Sequence, residues 1–273
     1  MDTNAMDNFS ISRPLGLLSS IWVCIILCTV MPASAAPLFP NSVVSNDLEF
    51  ITTDDPGVQG CIKYTGTKKQ QMPDKRSDEL WVRGVYTFSA RYQDRTRVNV
   101  WVHPQVGSRE QAYEVAMQTL GPVGKLPHFM RNKLDHIVIH KGNESAFAEA
   151  DGHFFVLYTE NMATRIANHD LEETVFHESI HATMDKKYSR NKSWLKAVQQ
   201  DNDFITRYAA SRPNKEDLAE SALFAWTIIN HPGRLPDHIE AKARKIMPNR
   251  LAFFEKLTFF KLQEQTHNKP VKC

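Results

Sequence analysis

The residues His177-Glu178-Ser179-Ile180-His181 restrict this chain more than any other feature. Two imidazoles four residues apart reach a common point only on a helix, where i and i+4 stack on one face. Glu178 is rotated by about 100° from that face, which sets it beside the common point rather than on it. The flanking letters agree with a packed helix. Asp170 with Glu173 three residues later is a capping-box-like start, and Leu171 to Phe176 supplies apolar positions. The helix is predicted to run to about Lys187. The bland alternative is a surface helix carrying two unrelated histidines.

H-E-x-x-H on a helix is a zinc-binding pattern, with the Glu placed to take a proton from water. A catalytic zinc takes three protein ligands and keeps one position open. A third His six residues after His181 is excluded, because position 187 is Lys; position 184 is Met rather than Gly. A downstream carboxylate remains. Lys215 to Trp226 supplies Glu216 and Glu220, four apart on one helical face, with Leu218, Ala219, Ala222 and Ala225 able to pack on the first helix. One carboxylate would bind the ion while the other hydrogen-bonds a ligating imidazole. Spacing alone does not say which, and the alternative is an amphipathic helix with solvated glutamates.

The rest of the chain divides into strands, then helices. Trp81–Tyr92, Val98–Val102, Ile137–His140 and His153–Tyr158 carry β-branched and aromatic residues. Ser108 caps a predicted helix through Leu120 that Gly121-Pro122 ends. Helices are also predicted at 192–210, 214–230, 236–246 and 249–263. The fold class is α+β: a small, mainly antiparallel N-terminal sheet followed by a helical half that carries the site. Residues 36–79, rich in Pro, Asp, Gly, Ser and Lys, read as an irregular lead-in or short pro-segment. Residues 80–267 form the expected domain and 268–273 a tail.

Leu15 to Met31 is almost wholly apolar, with Arg13 before it and Ala33-Ser34-Ala35 after it. That is the pattern of a secretory signal cleaved after Ala35. An uncleaved anchor is the rival, although a spanning helix wants about 20 apolar residues. The expected location is extracellular, or periplasmic in a bacterium, with no stable membrane association once the signal is gone. Cys24 and Cys28 leave with the signal. Cys61 and Cys273 remain as a candidate disulfide, against two free thiols. Asn143-Glu144-Ser145 and Asn191-Lys192-Ser193 are glycosylation sequons if the host is eukaryotic. With a net charge of +2 and scattered Lys and Arg, no basic stripe for nucleic acid is present. The one local run, Lys68-Lys69 to Lys75-Arg76, reads as a solvated loop.

H-E-x-x-H followed some 35 residues later by E-x-x-A-E resembles the gluzincin peptidases. It is most similar to the anthrax lethal factor catalytic domain and the secreted Pro-Pro endopeptidases. Ala182 after the motif, Asp185 nearby and a Tyr ahead of E-x-x-A-E extend the likeness, which covers about Glu173 to Trp226. The resemblance implies a zincin-like fold, one zinc ion on His177, His181 and Glu216, Glu220 behind the ligands, and Tyr208 stabilising the oxyanion. Tyr208 stands eight residues before Glu216, with Pro213 between, where the pattern has seven. His169 or His231 is the alternative helper.

The expectation is therefore a secreted zinc metalloendopeptidase acting on a peptide or protein substrate, with Glu178 as general base. His153–Tyr158 is expected either as a core strand or as the sheet edge where an extended substrate pairs. The alternatives are a non-catalytic metal-binding or adhesion module, a metal-free binding protein, and a hydrolase of non-peptide amides.

Overall fold

The computed structural model describes residues 37–262 and 271–273. The apolar stretch, the cleavage site after Ala35 and the first half of the tail lie outside the described residues.

Six strands form one sheet: β1 (Gly60–Gln71), β2 (Trp81–Tyr92), β3 (Arg97–Val102), β4 (His136–His140), β5 (Phe147–Glu149) and β6 (Phe154–Tyr158). Their spatial order is β1-β2-β3-β4-β6-β5. The sheet is mixed: β1, β2 and β3 run antiparallel, β3-β4 and β4-β6 are parallel, and β5 closes the far edge antiparallel to β6. Parallel strands need helical crossovers. Between β3 and β4 these are α1 (Arg109–Met117), α2 (Leu120–Lys125) and α3 (His128–Lys133). The central strands are buried on both faces, as parallel strands usually are. Ile137, Ile139, Phe155 and Leu157 face the main core, while Val138, Val156 and Tyr158 join Met72 and Val85 on the other side.

After β6 the chain is helical: α4 (Thr159–Ala167), α5 (Leu171–Tyr188), α6 (Lys192–Asp201), α7 (Arg207–Ser211), α8 (Asp217–Asn230), α9 (Asp237–Ile246) and α10 (Pro248–Glu255). The expected α+β class is present, but the sheet is mixed rather than mainly antiparallel, because the helices α1, α2 and α3 between β3 and β4 let β4 join parallel to β3. Among the described residues, no helix is long and apolar enough to cross a membrane.

Several expectations are corrected. Residues 36–79 are not uniformly irregular, since Gly60–Gln71 is a twelve-residue strand. It is an edge strand with one side in solvent, and its Lys, Gln and Thr hide the strand signal. Upstream of it, residues 37–58 lie as a belt across the helices, with Val43 and Phe50 fully buried. Residues 34–273 pack as one unit, so no boundary falls near residue 80. Gly121-Pro122 does not end a helix but sits in the first turn of α2, where Pro has no amide bond to lose. Strand β6 is not the edge; β5 is. Asp170 and Glu173 form no capping box: Asp170 pairs with Arg165 at 2.8 Å, and Glu173 accepts the Phe50 amide at 2.7 Å. The helix predicted over 192–210 breaks at Asn202, which takes the left-handed conformation at the C-cap of α6.

Cys61 at the start of β1 is bonded to Cys273, with Cα atoms 5.8 Å apart. A disulfide places the chain in a non-reducing compartment.

Candidate metal centre

Helix α5 supplies the floor. It is buried nearly all round, with fourteen of its eighteen residues inside. His177 and His181, one turn apart, turn their Nε2 atoms toward one point, 3.2 Å from each other. Helix α8 packs on α5 through Ala219, Ala222 and Ala225, each fully buried and small enough for close approach. Its N-terminus brings in Glu216, which is the N-cap residue rather than part of the helix body. Glu216 Oε2 lies 3.7 Å from His177 Nε2 and 3.3 Å from His181 Nε2.

Two ligands bonded at about 2.0–2.1 Å to a tetrahedral ion stand roughly 3.3–3.4 Å apart. The three edges of this triangle match that spacing. Two imidazole nitrogens and a carboxylate oxygen are also a donor set that suits zinc. Among the described residues this is the one group of three or more His, Cys, Asp or Glu side chains able to hold a metal ion.

The groups behind the triangle are carboxylates. Asp185 Oδ2 is 2.7 Å from His181 Nδ1, on the residue that the sequence pattern marks as a nearby acid. Glu220 is fully buried, and its Oε1 lies 3.7 Å from His177 Nδ1, beyond hydrogen-bond reach. That nitrogen has no other partner. Glu220 instead accepts from Ser42 Oγ at 2.5 Å, the Val43 amide at 2.9 Å and Thr206 Oγ1 at 2.7 Å. The expectation that Glu220 hydrogen-bonds the ligating imidazole is thus corrected: it ties the belt to α8, because three donors already surround it.

Glu178 lines the same cleft beside the triangle. Burial pushes its carboxyl up, opposed by His177 and His181 and reinforced by Glu216. Burial also works against Glu216 carrying charge, yet hydrogen bonds to both imidazoles hold it well below the usual carboxylate range. Tyr208 donates to Glu216 Oε1 at 3.0 Å, so the eight-residue spacing still brings it to the site. Burial and the Glu216 charge push its hydroxyl up to about 12, which keeps it a donor at neutral pH. Arg212 in turn donates to the Tyr208 hydroxyl at 3.2 Å. The alternative helpers are elsewhere. His169 is exposed before α5, and His231 faces Asp55 at 3.9 Å; neither lines the cleft.

The cleft has a volume of about 1110 Å³. Edge strand β5, the belt near Ser42, Tyr208 and Arg212 all line it. Arg212 and β5 are not singled out from sequence, and the run Lys68-Lys69 to Lys75-Arg76, expected as a solvated loop, is corrected: Lys68 and Lys69 lie in strand β1, and Lys75 lines the cleft. Three residues are too few to show a strand period, and nothing local marks a surface cation as facing a cleft. Compared with known proteins, the chain matches no family model, no curated protein and no solved structure.

Proposed function

We propose that this chain is a secreted zinc-dependent metallopeptidase of zincin-like architecture, in the manner of the lethal factor and Pro-Pro endopeptidase group. The observation that carries this reading is the convergence of His177, His181 and Glu216 from two helices onto one triangle, with Glu178 beside it. His177, His181 and Glu216 would hold the ion. When bound, zinc supplies Lewis-acid polarisation and lowers the pKa of water toward neutrality.

The chain's own groups then have these roles. Glu178 takes a proton from the attacking water and hands it to the amine nitrogen as the C–N bond breaks. Its burial favours proton uptake. Tyr208, a neutral hydroxyl, donates to the carbonyl oxygen as charge grows there. Asp185 fixes the ring of His181. The exposed edge of β5 offers main-chain groups to an extended substrate.

A non-catalytic metal-binding module is the second reading. Glu178 disfavours it, because binding alone does not require a buried carboxylate in the cleft. Metal quantification and peptide-library cleavage on wild type and Glu178→Gln test both. Wild type should carry one zinc and cleave peptides, and Glu178→Gln should keep the zinc while losing about 10²–10⁴ in rate. A Glu178→Gln protein that cleaves at the wild-type rate removes the base, and a purified chain without zinc removes the whole reading.

A further inference from the structure

We propose that the cleft selects peptides bearing side-chain carboxylates close to the cleaved bond, an inference that rests on the peptidase reading above. Four exposed cations, Lys75, Arg190, Arg212 and Lys215, line the cleft, and none has an ion-pair partner among the described residues. A fifth, Arg165, is neutralised by Asp170 at 2.8 Å. The carboxylates in the cleft are otherwise engaged. Asp185 holds His181, Glu216 faces both imidazoles and Tyr208, and Glu178 lies beside them. Only Glu149, on the edge strand, remains as an exposed acid. A divalent ion on the triangle adds further positive charge. With a divalent ion bound, the ion and the four unpaired cations outweigh the four lining carboxylates Glu149, Glu178, Asp185 and Glu216, and such an excess of positive charge between low-dielectric walls concentrates negative charge in a ligand.

Placement sets these cations apart from ordinary solvated ones. Lys75 is held in position: its Nζ donates to Ser145 O at 3.0 Å, Ser145 Oγ at 2.8 Å and Ala146 O at 3.2 Å, just ahead of β5. These partners are neutral, so its charge has no ion-pair partner among the described residues. Arg212 is held too, 5.2 Å over the Tyr208 ring and bonded to its hydroxyl. Lys215 directly precedes Glu216, and Arg190 follows the C-terminus of α5. The cations therefore come from four separate places in the chain around the triangle: ahead of β5, after α5, after α7 and just ahead of α8. An extended chain pairing with β5 runs among these cations, and side-chain carboxylates on either side of its cleaved bond meet a cation whose orientation is already set. That lowers the ordering cost of binding. A free C-terminal carboxylate offers the same chemistry, but it would need a cation at one end rather than around the triangle.

The test uses the full zinc-loaded protein and a matched set of C-terminally amidated peptides carrying Glu or Asp, Gln or Asn, or Lys at the positions around the cleaved bond. One neutral peptide is also supplied with a free C-terminus. Amidated acidic peptides should exceed the neutral ones in kcat/KM by about tenfold or more. The gap should narrow as salt shortens the screening length from about 10 Å at 0.1 M toward about 3 Å at 1 M. The double variant Arg190→Gln/Lys215→Gln should narrow the preference, the remainder resting on Lys75 and Arg212, while still cleaving the neutral peptide, and an unchanged preference removes these two cations from the inference. Equal or better cleavage of neutral or basic peptides overturns the inference, and so does a preference confined to the free C-terminus. Calorimetric binding to zinc-loaded Glu178→Gln separates the two readings. If wild type cleaves nothing but the acidic amidated peptide still binds about tenfold tighter than the neutral one, the peptidase reading fails and the anionic-peptide site stands. If cleavage occurs without charge preference in either assay, the reverse holds.

Discussion

His181 is gripped at both ring nitrogens, by Asp185 at 2.7 Å and Glu216 at 3.3 Å. Burial opposes its protonation, but the two carboxylates outweigh that and raise its pKa well above the ordinary value. A different balance holds one turn before His177. Glu173 is 1% exposed and accepts the Phe50 amide at 2.7 Å, and burial pushes its carboxyl up to about 8. The carboxyl of the unfolded chain titrates near 4.5. Below that value both states hold the proton and nothing is lost. As pH rises toward 8 the unfolded chain releases it while the folded chain retains it, so stability falls by about 1.4 kcal/mol per pH unit. Glu173→Gln keeps an oxygen for the Phe50 amide and removes that dependence. Its Tm relative to wild type should rise between about pH 5 and about pH 8. An unchanged difference across that range overturns the assignment.

At the scale of elements, the metal triangle depends on where α8 begins. Arg250 in α10, fully buried, fixes that point. It donates to Asp201 Oδ2 at 3.0 Å, to Asp217 in the first turn of α8, and to Ser221 Oγ at 3.3 Å. Asp201 also accepts the amides of Asn249 and Arg250, closing the start of α10. Losing one member leaves buried charges without partners, a cost of about 3–5 kcal/mol. Arg250→Met should lower the unfolding free energy obtained from urea denaturation by that amount. It should also weaken zinc binding, because Glu216 adjoins Asp217. Normal zinc affinity in a folded but destabilised Arg250→Met protein would separate the network from the site.

Over the whole molecule, the belt and the disulfide hold the strand half and the helical half together. Leu38 and Phe39 pair with Ile205 and Arg207, Phe50 packs edge-on against Phe224 at 4.8 Å, and Arg234 binds both Phe50 O and Asp55. Burying a side chain such as Phe50 is worth roughly 1.5–3 kcal/mol. Removal of residues 36–79 would therefore take out core and sheet together, which fits an integral segment better than a detachable one. The Cys61–Cys273 bond spans 212 residues, so it removes many conformations from the unfolded chain. The double variant Cys61→Ser/Cys273→Ser should be destabilised by about 2–5 kcal/mol and should match reduced wild type. Equal midpoints with and without reductant would show that the bond adds nothing.

Local chemistry made part of this legible in one dimension. The spacing of His177 and His181 is a property of any helix, so their convergence and the placement of Glu178 beside them followed from the letters. The same holds for the succession of β-branched strands and then helices. Other features depend on partners that no fixed spacing in the sequence announces, several of them far along the chain. The choice of Glu216 at the triangle and Glu220 behind it arises because Ser42, Val43 and Thr206 close around Glu220. The polar strand β1 forms because it pairs with β2, and the three-residue β5 because β6 presents an edge. Asp170 and Glu173 leave their expected cap for Arg165 and Phe50. Short-range geometry repeats every turn and can be read from spacing, whereas a partner supplied from more than a hundred residues away exists only once the chain has packed.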